Sequence, residues 1–258
     1  MNRNITRQFL VIFTFVLTLV MNGAATSLPL NGMDTGAISD LFPNFFTPAG
    51  YVFAIWGVIY TGLLAFTIYH SLPSQRNNPR MRRAGWLFIV SNLFNSAWIA
   101  AWHYLQFPLS LVLMLGIGGA LLALYVRLGN RPVSTLERWV VHVPFSIYFG
   151  WISVATIANT TVVLQYFGFQ GGPLPGPVWS VLVMLVGTAI AVYILRTRGD
   201  VAYGAVFVWA FIGIAVRNSE VALVAYTAAV LAAVVLVVAL MALFGRTPPA
   251  TRLQGSPA

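Results

Sequence analysis

The sequence has no cysteine, which excludes disulfides, thiolate metal sites and cysteine nucleophiles. It is also poor in charge. Only 7% of its 258 residues are Asp, Glu, Lys or Arg, where soluble domains carry about a quarter. Lysine is absent altogether, so all 14 basic residues are arginine, and the proposed apolar segments hold no carboxylate. Coupled ion and proton carriers keep ionisable groups at membrane depth, so a proton-driven pump is a poor fit. There is no Gly-rich phosphate loop, and no pair of histidines is spaced for a metal.

What is abundant is apolar sequence. Hydrophobic residues make up 59% of the chain, and runs such as Val221 to Phe244 are continuous rather than alternating. Backbone groups cannot stay unpaired in hydrocarbon, so continuous runs mean helices and not a barrel. Windows of about 19 residues place spans at 9–26, 47–70, 84–104, 108–128, 139–163, 178–195, 201–216 and 221–244. We therefore expect an all-α integral membrane protein with eight spans, of which 201–216 is short for a bilayer.

Arginine placement tests that count. A net charge of +9 would suit nucleic acid only if the arginines shared one soluble face, and they do not. Arg3 and Arg7 precede span one, and Arg76, Arg80, Arg82 and Arg83 follow span two. Arg127, Arg131 and Arg138 follow span four, Arg196 and Arg198 follow span six, and Arg246 and Arg252 follow span eight. In an eight-span chain all of these share one side and Arg217 stands on the other, with Asp34, Asp40 and Glu220 nearby. The positive-inside rule then puts both termini in the cytoplasm. We expect a multi-pass protein of a bacterial plasma membrane whose basic loops meet anionic lipid headgroups. The first span also reads as a secretory signal, with two arginines, an apolar stretch and small residues at Gly23, Ala24 and Ala25. Cleavage would leave seven spans and the same orientation.

Two loops are long. One runs from Ser27 to Thr47, and the other, from Gln165 to Pro177, is rich in glycine and proline. The second divides the chain into a five-helix unit, 1–164, an external loop, 165–177, a three-helix segment, 178–245, and a tail, 246–258. Gly116 with Ala120, and Ala225, Ala229 and Ala233, are spaced four apart and suit close helix packing.

Aromatic residues and amides share faces on three spans. Phe53, Trp56 and Tyr60 align on span two. Asn92, Asn95, Trp98 and Trp102 align on span three, and Tyr148, Trp151, Ala155 and Asn159 on span five. Trp86, Trp102 and Trp139 lie near span ends, where tryptophan commonly anchors to the interface. Large rings with a few hydrogen-bonding groups can also enclose a flat apolar ligand. Among the histidines, His70, His142 and His103, the last lies beside Trp102 and Tyr104 and is the weak candidate for a metal of a haem-like group.

These segments resemble the TspO/MBR family, the translocator or tryptophan-rich sensory proteins. The stretch Pro48-Ala-Gly-Tyr-Val-Phe-Ala-Ile-Trp56-Gly-Val-Ile-Tyr60 is similar to the family's Pro-rich approach to its second helix and its Trp-x-x-Leu-Tyr pattern, with Ile59 for Leu. Asn95-Ser-Ala-Trp98 resembles Leu-Asn-x-x-Trp, with Phe94 for Leu, and Pro144 to Asn159 resembles the fifth helix. The likeness covers about residues 9 to 163. Thr47 stands where the first of two prolines is usual, and Pro144 precedes Trp151 by seven residues rather than four.

The resemblance implies a five-helix bundle that binds porphyrin or another tetrapyrrole, or a sterol-like molecule. It also implies light-dependent porphyrin degradation as the activity of certain bacterial members, with no acid–base residues required. Trp56 and Trp151 would then be the pocket tryptophans, with Tyr60, Asn95, Trp98, Trp102, Tyr148 and Asn159 around them. Binding or sensing of such a ligand is the first reading. Passive carriage of hydrophobic molecules, or a structural role in a larger, pigment-bearing complex or a homo-oligomer, is the alternative.

Overall fold

The computed structural model describes residues 3–28, 30–129, 134–169 and 171–245, and of Arg3 only the backbone. Arg131 and the tail 246–258, with Arg246 and Arg252, lie outside the described residues. Those residues form helices and contain no strand. In chain order the helices are α1 (Arg3–Ser27), the short α2 (Thr35–Asp40), α3 (Ile55–Ser71), α4 (Pro79–His103) and α5 (Phe107–Leu128). They continue with a single turn, α6 (Thr135–Glu137), then α7 (Val143–Tyr166), α8 (Gly176–Arg198), α9 (Val201–Arg217) and α10 (Ala222–Phe244).

Seven of the long helices are apolar and long enough to cross a membrane. Helix α9 has 17 residues, about 26 Å at 1.5 Å per residue, against a hydrocarbon core of about 30 Å. It is nonetheless deeply embedded, with Tyr203, Phe207, Ala210, Phe211 and Ile214 fully buried.

Helices α1, α4, α5, α7 and α3 close a ring, each packed on the next and α3 on α1. Helix α1 is a wall of this ring: Val11, Phe15 and Thr18 are buried, and Thr18 Oγ1 donates to the Asn92 carbonyl at 3.1 Å. Helix α9 packs on the outside of α7 and on the 3-10 turn Gly50–Ala54, and α8 and α10 pack on α9. One continuous core runs through both groups of helices. The turn into α7 widens into a π-helix over Arg138–His142, immediately before Pro144. Proline has no N–H to give the carbonyl four residues back, and such a defect is absorbed by a wider turn.

The described arginines gather as their order along the chain predicts. Arg7, Arg76, Arg80 and Arg198 meet at one end, where Arg7 donates to the Arg76 carbonyl at 2.8 Å and Arg80 pairs with Glu137 at 3.4 Å. At the opposite end Arg217 pairs with Asp40. The small-residue stripe on α10 differs from expectation. Its buried face is Val224, Ala228, Ala232, Val235 and Ala239, while Ala229 and Ala233 are exposed. Alanine recurs on adjacent stripes of this helix, so spacing alone does not single out the packed one.

Candidate functional site

The approach to α3 runs from Thr47-Pro48 through the 3-10 turn and delivers Phe53 and Trp56 to the bundle interior. Helix α4 presents Trp98 and Trp102, helix α7 Trp151 and Asn159, and helix α5 Met114 to the same space. The rings meet edge to face. Trp56 and Trp151 lie with centroids 6.1 Å apart at 84°, and Phe53 and Trp151 5.9 Å apart at 85°. Such pairs add about 0.5–1.5 kcal/mol each beyond burial. Trp98 and Trp102 stack at 5.9 Å.

Five of the residues expected at a ligand site, Trp56, Trp98, Trp102, Trp151 and Asn159, therefore line one cavity. The other three stand behind it. Tyr60 stacks on Trp56 at 5.3 Å. Tyr148 is fully buried and its hydroxyl accepts from Asn95 Nδ2 at 3.0 Å, while Asn95 Oδ1 accepts from Asn22 at 2.8 Å. Asn22, Asn95 and Tyr148 thus tie α1, α4 and α7 together, while Tyr60 and Tyr148 back the Trp56 ring.

Trp102 lies near a helix end yet is buried and donates to the Thr35 carbonyl at 3.2 Å. Trp86 and Trp139, by contrast, are exposed as interfacial anchors are. Asn159 is bonded by Trp98 Nε1 at 3.3 Å and donates to Ser110 at 3.0 Å. Among the buried indoles of the cavity, that of Trp151 is left over: it is 3% exposed and its Nε1 has no partner.

Thr35, Ser39 and Thr47, which sequence reasoning did not single out as lining, form the roof. Only the departure of Thr47 from proline drew attention to any of them, and its hydroxyl is buried against Asn44 Oδ1 at 3.1 Å. A short helix capped by Asp34, whose carboxylate accepts from Gly36 and Ala37, folds this loop over the mouth.

His103 pins the roof. It is fully buried, with Nδ1 3.1 Å from the Leu30 carbonyl and Nε2 3.0 Å from Thr35 Oγ1. A carbonyl only accepts, so Nδ1 carries the proton and Nε2 receives the threonine hydroxyl. Both nitrogens are thus engaged by the loop. Among the described residues no group of three His, Cys, Asp or Glu could hold a metal ion.

The cavity between the rings is about 50 Å³, room for a few waters where bound organic ligands occupy about 300–1,000 Å³. A larger space of about 420 Å³ lies outside the roof, among Phe42, Phe45, Leu164, Gln165, Trp179 and Ser180. The segment from Ser39 to Thr47 separates the two, lining the inner cavity with Ser39 and Thr47 and the outer one with Leu41 to Phe46.

Residues 8–241 match the family model described as TSPO-like protein. The match runs through α8 to α10, past residue 163 where the motif likeness stops. No curated protein and no solved structure matches the chain.

Proposed function

The chain belongs to the TSPO-like family, and from that premise we propose that it binds a flat hydrophobic ligand, a tetrapyrrole or sterol-like molecule, between Trp56, Trp98, Trp102 and Trp151. The observation that carries this is the Trp151 indole N–H, buried among rings without a partner. A buried donor left unpaired costs about 1–3 kcal/mol. A ligand with an acceptor atom, such as a ring carbonyl or hydroxyl, would recover that cost while its flat body stacks on the tryptophans.

At about 50 Å³ the pocket is closed, so binding of such a molecule includes lifting the roof. Its polar ties include Trp102 to Thr35, His103 to Thr35 and Leu30, Gln165 to Pro43, Asn218 to Phe45 and Arg217 to Asp40. Apolar packing holds it as well, with Ile38 and Phe46 buried in the core and Phe42 edge to face on Phe107 at 4.9 Å, so opening also exposes these side chains.

Protoporphyrin IX titrated in the dark into protein held in lipid nanodiscs, followed by porphyrin absorbance, tests the site. Trp56→Ala with Trp151→Ala should abolish saturable binding, and Trp151→Phe, which keeps a ring and removes the N–H, should weaken it about fivefold. Unchanged binding in the double variant removes the pocket.

The shared wall between the two cavities supports a second reading, passive carriage from the outer space to the inner one. Flux of porphyrin into liposomes distinguishes carriage from binding alone.

A further inference from the structure

At the basic end, helix α1 buries a guanidinium with no counter-charge. Arg7 is 1% exposed. It donates to the Arg76 carbonyl at 2.8 Å and to Asn4 Oδ1 at 3.0 Å, and its Nε has no partner. Among the described residues no carboxylate pairs with it, since the ion pairs there are Arg80 with Glu137 and Arg217 with Asp40. A buried charge without an opposite partner is costly, so this corner attracts an anion.

Beside Arg7 the half-buried Arg76 offers a guanidinium whose only described side-chain bond is from Nε to Gln8 Oε1 at 3.3 Å. Gln8 in turn donates to the carbonyls of His70 and Leu72 at 3.0 and 3.2 Å. This knot caps a groove between α1 and α3. Phe15 and Thr67 are its floor, and Ile12, Val16, Leu64 and Ile68 are its exposed walls. The groove has a volume of about 420 Å³ and is almost wholly apolar, with Leu72 and Pro73 at the capped end. Gln8, Ile12 and Leu19 follow one stripe of α1, so the groove runs from the guanidinium knot toward mid-membrane, about 10 Å from Ile12 to Leu19 at 1.5 Å per residue.

We propose that this groove is a binding site for one anionic phospholipid, its phosphate at Arg76 and one acyl chain between α1 and α3. An apolar trough facing lipid, headed by an unneutralised pair of arginines, has the chemistry of that one molecule: a chain for the trough and a negative group for the head. The site lies at the opposite end of the bundle from the α2 roof and is independent of the ligand pocket.

Native mass spectrometry of the detergent-purified protein, titrated with dioleoyl phosphatidylglycerol and dioleoyl phosphatidylcholine, tests it. One phosphatidylglycerol should bind ahead of phosphatidylcholine by about fivefold or more, the worth of one guanidinium against an anionic headgroup. Arg76→Gln should erase that preference and Arg76→Lys retain part of it. Arg127→Gln, on the last turn of α5, should leave it unchanged, and Ile68→Trp should weaken phosphatidylglycerol by filling the trough. Equal binding of the two lipids overturns the proposal, as does an equal loss in Arg76→Gln and Arg127→Gln, which would mean diffuse surface charge. Full binding by Ile68→Trp, with competition from inorganic phosphate, would leave an anion site without a chain and overturn it as well.

Discussion

In the ring of α1, α3, α4, α5 and α7, buried amides and hydroxyls reach from helix to helix, as in Asn22 to Asn95 to Tyr148, Thr18 to Ser96, and Trp98 to Asn159 to Ser110. In α8 to α10 the close contacts are made by small residues. Ala191, Ala210, Ala228 and Ala232 are buried there, and the α carbon of Gly204 lies so near Leu195 that an added methyl would meet it at 2.9 Å. Thr188 bonds back to its own helix. The polar side chains of α9 and its C-cap instead reach across to α7 and to the approach to α3: Tyr203 to Ser153, Trp209 to the Val52 carbonyl and Asn218 to the Phe45 carbonyl. Lipid offers no hydrophobic drive for helices to associate, which leaves packing and hydrogen bonds. The ring relies on both, and the added helices rely chiefly on shape. Directional bonds fix where a side chain points, and the side chains fixed in this way are those around the tryptophan pocket.

The seam between the two regions should be the most sensitive place to break this contrast. Gly213 on α9 faces Val52 and Pro48 with no room for a side chain, and its carbonyl accepts from Ala49 at 3.0 Å. Gly213→Leu should cost about 3 kcal/mol by overpacking, read by SDS titration in mixed micelles. A near-neutral result would mean that α9 is not seated on the 3-10 turn as described. Within the ring, Asn95→Leu removes two interhelical bonds, leaving the Tyr148 hydroxyl without a partner and Asn22 bonded only to the Thr18 carbonyl of its own helix, a loss of about 2 kcal/mol by the same measurement. If it costs less than a cavity-neutral alanine change in α10, the ring is not held by its polar contacts.

Asp200 sharpens the comparison from the other end of α9, accepting from Tyr125 at 2.7 Å, from Ser146 at 2.5 Å and from the Tyr203 amide at 3.1 Å. Asp200→Asn keeps the shape but exchanges charged acceptors for an amide, and should cost about 1–2 kcal/mol. The smallest effect belongs to Arg217→Gln. Its pair with Asp40 is one third to one half exposed, so about 0.5 kcal/mol is expected, together with faster porphyrin binding if this contact helps to hold the roof closed.

Long apolar runs made the helices readable: the spans 108–128 and 201–216 fall within a residue of α5 and α9. Ring and amide spacing likewise placed Trp56, Trp98, Trp151 and Asn159 on inward faces, because a helix fixes direction from sequence separation alone. The roof was not readable. Thr35 and Ser39 reach the pocket only because Asp34 caps a short helix and His103, some 70 residues away, receives it. Nothing local to residues 27–47 signals such a contact. Tyr60 shared a helix face with Trp56 and was expected in the pocket, but stacking draws the two rings together and leaves Tyr60 behind its neighbour.

The bonds from Trp209 to Val52 and from Asn218 to Phe45 join groups 157 and 173 residues apart. During synthesis the carbonyls of Val52 and Phe45 enter the membrane long before their donors exist. The five-helix ring can therefore insert and close while its outer rim still lacks these contacts, and it is completed only when α9 leaves the ribosome. Assembly of the tryptophan-lined cavity is in this sense clocked by the last third of the chain, and a ribosome stalled before Trp209 would leave a cavity without that part of its rim.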